Sequence, residues 1–179
     1  MKIAITGHTK GIGRAIADLY YTDEVVGFSR SNGYDIAHPG NVARIVAESS
    51  ECDIFVNNAY HDFVQIDLLD GIFEIWKDDP TKTIVNIISR ARYGFGKAKF
   101  YSQTKMELYS KAKNMLFSNK RCRIININPG YVRTDMAAHV PETVNMLTTE
   151  QLAGMIKWCL DQPQGVEVGE LSVWYTTQD

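Results

Sequence analysis

Tyr101 and Lys105 stand four residues apart, the spacing that puts two side chains on one face of a helix. A free phenol loses its proton near pH 10, too high for easy exchange at neutrality (about 10). An ammonium beside it stabilises the phenolate and lowers that value. Such a pair could give a proton to a carbonyl oxygen, or take one back. Ser89, upstream of both, ends the apolar run Thr83–Ile88 (TIVNII), where its hydroxyl could hydrogen-bond the same oxygen. Most isolated YxxxK pairs are ordinary helix-surface residues, so the pair needs support from elsewhere in the chain.

That support lies at Thr6–Gly13 (TGHTKGIG). Gly7, Gly11 and Gly13 fall between a strand-like run and a helix-like one. A pyrophosphate needs backbone N–H groups within reach, no side chain in the way and, ideally, a helix N-terminus facing it. The spacing GxxxGxG is not GxxxxGK[ST], and no Lys-Ser/Thr follows it, which disfavours a nucleoside triphosphatase. A tight glycine turn with no ligand is the plain alternative.

The elements that would position these residues alternate. Lys2–Thr6, Glu24–Ser29, Asp53–Asn57, Thr83–Ile88, Arg123–Asn128 and Val166–Tyr175 read as strands. Helical spacing recurs at Ile12, Ala15, Ile16 and Leu19, and again at Val42, Ile45 and Val46 behind Pro39. A third helix carries Ile66, Leu69, Ile72, Phe73 and Trp76, a fourth runs from about Phe100 to Phe117, and a fifth reaches about Leu160. Thr148 with Gln151 resembles a capping box at the start of the fifth. Strands alternating with helices predict an α/β fold, a mostly parallel, doubly wound, Rossmann-like sheet covered on both faces. The 179 residues suggest one domain spanning 1–179.

The bulk properties exclude several classes. A formal charge of −2 gives no reason to expect nucleic acid, and the small basic clusters at Lys97–Lys99 and Lys120–Arg123 read as solvated surface. Cys52, Cys122 and Cys159 are far apart, without metal-ligand spacing, which argues against structural zinc and a disulfide framework. Reduced thiols fit a cytoplasmic setting. A strand beginning at Lys2 leaves no room for a signal peptide, and no apolar run approaches a membrane span. His8, in the glycine loop, is placed to approach a phosphate, whereas His38 and His61 sit in turns with no metal-ligand partner.

With these motifs in order, the chain resembles the short-chain dehydrogenase/reductase family from Lys2 to Tyr175. Thr6–Gly13 is similar to its TGxxxGIG loop and Asn57-Asn58-Ala59 to its NNAG motif. Ser89, Tyr101 and Lys105 match its catalytic serine and YxxxK. Asn128–Thr134 (NPGYVRT) is similar to its PGxVxT segment. The resemblance implies that Tyr101 is the acid/base, that Ser89 orients the carbonyl and that Lys105 binds the nicotinamide ribose. It implies cofactor contacts at Gly7, Lys10, Gly11, Ile12, Gly13, Asn58, Ala59, Pro129, Gly130, Val132 and Thr134, with Asp35 and Ile36 at the adenine. Asp35 reads equally as a turn carboxylate capping the next helix.

The cofactor expected is NADP(H), with NAD(H) an alternative. An acid at the end of the second strand would bond a ribose 2′-hydroxyl. The run Gly27-Phe28-Ser29-Arg30 has none. Arg30 offers a charge-assisted pair to a 2′-phosphate, Ser29 a hydroxyl and Lys10 a second cation. The implied reaction interconverts a carbonyl and an alcohol of a small-molecule substrate. The resemblance also implies a homodimer or homotetramer, with Ile72, Phe73, Trp76 and Tyr109 as candidate interface residues; burial inside the subunit is their alternative.

The chain is shorter than the roughly 250 residues usual for the family. Only Ser31–Tyr34 separate Arg30 from Asp35, too few for a further parallel strand with its crossover. No asparagine occurs between Asn58 and Asn86, so the family's relay asparagine has no match. Asp67 falls nearest its position, but reads first as a carboxylate that a helix start favours. Tyr60 replaces the last glycine of NNAG. A short stretch after Thr134 implies an open pocket, with Tyr93, Met136, His139, Val140 and Met146 as candidate lining or packing residues. A non-catalytic NADP(H)-binding sensor is the competing reading. A sugar-nucleotide epimerase on the same fold is a more distant one, since the large C-terminal substrate domain such enzymes carry is missing.

Overall fold

The strands are β1 (Lys2–Thr6), β2 (Glu24–Phe28), β3 (Ile54–Asn57), β4 (Thr83–Ile87), β5 (Arg123–Pro129) and β6 (Glu170–Val173). The helices are α1 (Gly11–Leu19), α2 (Pro39–Ser49), α3 (Val64–Trp76), α4 (Lys99–Leu116) and α5 (Thr149–Leu160). They come from a computed structural model that describes residues 1–94 and 98–176. Lys97 of the first basic cluster lies outside the described residues. The strands form one sheet in the order β2-β1-β3-β4-β5-β6, and every neighbouring pair is parallel.

Parallel strands buried on both faces require apolar side chains in both directions, which is why Ile3, Ala4 and Ile5 are all buried. One face packs against α1 and α5 through Ile5, Val56, Ile125, Ile16 and Ile156. The other packs against α2, α3 and α4 through Phe55, Ile84, Ile124, Ile45, Leu68 and Leu108. Pro39 stands in the first turn of α2, where its missing N–H is harmless. Thr148 and Gln151 form the expected capping box on α5.

The chain passes from β1 outward to β2, then crosses to the other side of β1 to lay down β3. This reversal opens a crevice beyond the carboxyl ends of β1 and β3, the usual ligand position in such sheets. Between β2 and α2 there is only a 3₁₀ turn at Arg30–Asn32, as the short spacing requires.

Two expectations are corrected. The last strand is Glu170–Val173 rather than Val166–Tyr175. The Glu167 carboxylate accepts the Ile124 N–H at 2.6 Å, so a side chain takes the ladder bond that a longer strand would have made. Ile72 and Trp76 are core residues rather than interface residues; Trp76 meets Phe55 edge-on at 6.5 Å. The exposed apolar side chains of α3 and α4 are instead Ile75, Phe100 and Met106.

Candidate active site

The glycine loop leaves β1 at Gly7, whose φ of 72° suits glycine, and enters α1 at Gly11, with φ 55°. Gly13 permits the closest approach: a Cβ there would lie 2.3 Å from the Gly7 carbonyl oxygen and 2.7 Å from the Asn58 amide nitrogen. Asn58, just past β3, donates through Nδ2 to the Thr6 carbonyl at 2.9 Å. The Asn58 and Ala59 N–H groups both donate to Thr6 Oγ1, at 2.9 and 3.0 Å. The two loops bordering the crevice are thereby fastened together. Lys10, the N-cap of α1, gives the helix no side-chain cap. The first-turn N–H groups are left to an anion or water. Thr134 closes the other side, its Cγ2 set 3.2 Å from where a Gly11 Cβ would stand. Its hydroxyl donates to the Val132 carbonyl at 3.3 Å.

Ser89 follows β4, and its Oγ accepts the Ala91 N–H at 3.1 Å. Tyr101 and Lys105 share the inner face of α4. Tyr60, from the loop after β3, packs its ring edge-on against Tyr101 with centroids 4.9 Å apart. The Lys105 Nζ lies 5.3 Å from the Tyr60 ring centre and 5.6 Å from that of Tyr101. Burial raises the Tyr101 phenol above its ordinary value, a hydrogen bond with Ser89 pulls it partly back, and Tyr60 raises it. Burial, rather than the ammonium expected to lower it, dominates this phenol. Lys105 is itself only 3% exposed. Burial pulls its ammonium down from 10.5 to about 7, because a low-dielectric site penalises the charged form. Near neutrality the lysine is therefore only partly charged.

The Lys105 ammonium donates to Gln65 Oε1 at 2.6 Å and to the Ile87 carbonyl at 2.8 Å. Gln65 is the polar member of an otherwise apolar stripe, spaced three, four and seven residues before Leu68, Leu69 and Ile72. That interruption was the available sequence signal. Asp67, considered in place of the missing relay asparagine, is exposed on the far side of α3 and does not reach the site.

No protein-family model and no curated protein matches the sequence. Solved structures match almost its whole length. An alcohol dehydrogenase from the archaeon Thermococcus sibiricus, complexed with 5-hydroxy-NADP, is 18% identical with a TM-score of 0.80, covering 97% of this chain and 96% of its own. A short-chain dehydrogenase/reductase from Vibrio parahaemolyticus is 19% identical with a TM-score of 0.80, covering 98% and 100%. The 3-alpha-hydroxysteroid dehydrogenase of Pseudomonas sp. B-0831, complexed with NADH, is 19% identical with a TM-score of 0.69, covering 97% and 95%. This chain has the short-chain dehydrogenase/reductase fold.

The sheet edge beyond β2 is pared down to a 3₁₀ turn. Arg30 is exposed at the carboxyl end of β2, without an ion pair among the described residues. The Ser29 hydroxyl is used locally, sharing a 2.8 Å bond with Ser31 and donating to Asn32 at 3.1 Å. Asp35 accepts the Ala37 N–H at 3.0 Å in a turn, whereas the cap of α2 expected of it falls to His38, whose Nδ1 accepts the Gly40 N–H at 3.3 Å; the Ile36 side chain enters the core. Lys10 leans toward Asp135 across the crevice, 3.4 Å away and fully open to solvent screening. His8 lies flat against Gly27, where a Cβ would come within 2.3 Å of its ring. Trp174 packs on Gly130 in the same way, at 2.6 Å. Tyr93, Met136 and His139 are exposed, and Val140 and Met146 half-buried.

The residues present fit a nicotinamide dinucleotide. Gly7 and Gly13 leave no room for a side chain of their own, and the helix end has no side-chain cap. The neighbouring Arg30 is a cation without a carboxylate. Among the described residues no cluster of His, Cys, Asp and Glu could hold a metal, and the three cysteines are free and buried. No described helix is long and apolar enough to cross a membrane.

Proposed function

We propose that this chain is a short-chain dehydrogenase/reductase that uses NADP(H) to interconvert a carbonyl and an alcohol on a small molecule. The observation that carries this reading is the meeting of Ser89, Tyr101 and Lys105 at the carboxyl end of β4, beside the capless glycine cradle. The first-turn N–H groups of α1 would hold the pyrophosphate, Arg30 the 2′-phosphate, and Asn58, Ala59, Val132 and Thr134 the nicotinamide half. The cofactor supplies or accepts the hydride. In the reducing direction Ser89 Oγ hydrogen-bonds the substrate oxygen. Tyr101 Oη, at the same point, gives it a proton as negative charge develops. The phenol is neutral at pH 7, since burial raises its pKa, and so begins in the donating form. Lys105, when charged, stabilises the phenolate left behind. The Thermococcus sibiricus neighbour, which holds an NADP analogue, is consistent with the cofactor reading. An assembly of two or four copies remains part of the proposal.

The test is Tyr101→Phe. The variant should bind NADPH within about twofold of wild type and lose at least 10²-fold in carbonyl reduction, the usual worth of a positioned acid. Equal turnover in the variant would remove Tyr101 from the chemistry. One feature favours the non-catalytic sensor as the second reading: Lys105 spends two donors on Gln65 and Ile87. On that reading NADPH binds and no carbonyl compound in a broad screen is reduced.

A further inference from the structure

We infer that Gln65 is a positioning residue for Lys105, fixing the ammonium through its side-chain oxygen and holding it beneath Tyr101. This inference rests on the catalytic reading of Tyr101 and Lys105. It assigns to the first turn of α3 a task that the sequence left without an owner.

The amide can face only one way. Gln65 Nε2 donates to the Asn57 carbonyl at 2.9 Å and to the Ile87 carbonyl at 3.4 Å. Turned over, its oxygen would face two carbonyl oxygens and its NH₂ would face an ammonium. The nitrogen end is thus committed to the sheet, and Oε1 is committed to Lys105 at 2.6 Å. Gln65 is 2% exposed, so water does not substitute for either end.

The backbone carrying this amide is pinned as well. Asn57 Nδ2 donates to the Gln65 carbonyl at 2.7 Å and to Asn86 Oδ1 at 3.3 Å. Asn86 Nδ2 in turn donates to Asn126 Oδ1 at 3.1 Å. The three asparagines stand in register on β3, β4 and β5 and are almost wholly buried. They form a polar seam beneath α3 and α4. Within an apolar core such a seam depends on its members finding partners; its amide N–H groups on Asn57 and Asn86 do, while Asn57 Oδ1 has none among the described residues, and the Asn57 bonds tie α3 to the strand that precedes Ser89.

A lysine ammonium has three donors. Gln65 and Ile87 take two, which aims the third toward the space between the Tyr60 and Tyr101 rings, the side on which a ribose hydroxyl or a phenolate would lie. The groups facing Lys105 are few. The loop after β3 presents Tyr60, and α4 itself presents Tyr101. Neutral Gln65 comes from α3, and β4 contributes the Ile87 carbonyl. The α3 carboxylates turn away: Asp67 is exposed and Asp70 pairs with Lys111 at 2.9 Å. With no carboxylate acting on it, the charge state of Lys105 depends on burial and on these two acceptors, one of which Gln65 alone supplies.

The experiment titrates the lysine side-chain resonances of full-length protein labelled at lysine Cε, with Lys105 assigned by Lys105→Arg. Gln65→Leu should lower the midpoint of Lys105 by roughly tenfold in proton affinity, the worth of one hydrogen bond to a charged group. Gln65→Glu should raise it above wild type by at least as much, because a carboxylate then faces the ammonium. The pH profile of carbonyl reduction should move with the midpoint. The same Lys105 midpoint in wild type and both variants overturns the inference. If Gln65→Leu does not fold, Gln65→Glu decides alone. A wild type that reduces no carbonyl overturns the proposed function, whereas the Lys105 midpoints still decide the role of Gln65.

Discussion

Replacing Lys105 with methionine should abolish a pH dependence of stability that the buried ammonium imposes. In the unfolded chain this lysine titrates near 10.5, and in the fold near 7. Between those values the unfolded chain binds more protons than the native state, so stability rises with pH. The direction follows from burial: the cost of the buried charge is fully present below pH 7 and is relieved as the pH climbs toward 10.5. A single group with these values contributes a rise of about 1–2 kcal/mol between pH 6 and pH 8. The window stops at pH 8 because the Cys52, Cys122 and Cys159 thiols, all raised by burial, begin to oppose the trend nearer pH 9. Urea unfolding without cofactor at pH 6, 7 and 8 measures it. With a slope of about 1–3 kcal/mol per molar, the wild-type midpoint should move up by roughly 0.5–1 M. The midpoint of Lys105→Met should stay level across the series. At pH 6 it should also match or exceed wild type, since exchanging a buried ion for an apolar side chain of similar volume is often neutral or stabilising. An equal rise in wild type and variant would refute the assignment of this titration to Lys105, and a flat wild type would refute the buried charge itself.

Other outcomes follow from the cradle and its rim. Gly13→Ala places a methyl group 2.3 Å from the Gly7 carbonyl oxygen; it should weaken NADPH binding by tenfold or more and destabilise the fold by about 1–3 kcal/mol, read by calorimetry and thermal unfolding. Arg30→Ala should weaken NADPH by roughly tenfold and leave NADH almost unchanged, since only the 2′-phosphate loses a charge-assisted pair. An equal loss for both cofactors would remove the reason for preferring NADP.

Local chemistry made much of this protein legible from its residues. Alternating apolar runs and helical periods specify a parallel sheet because strands covered on both faces must be apolar throughout, as Ile3–Ile5 and Ile84–Val85 are. Four-residue spacing places Tyr101 and Lys105 on one helical face, and the missing residues between Arg30 and Asp35 rule out another strand. None of this needs a long-range contact. Depth and partnership do need one. Tyr101 and Lys105 look alike on a helical wheel whether the ammonium is solvated or buried. Only the packing of α3 and α4 over β4 buries it, draws its pKa down to about 7 and leaves burial as the main influence on the phenol. Asp67 and Gln65 are two residues apart, which on a helix means opposite sides. The tertiary structure turns the amide to Lys105 and the carboxylate to water. Trp76 and Ile72 go to the core, and Glu167 delays the start of β6, for the same reason: residue spacing decides which side chains share a face, and the fold alone decides what that face meets.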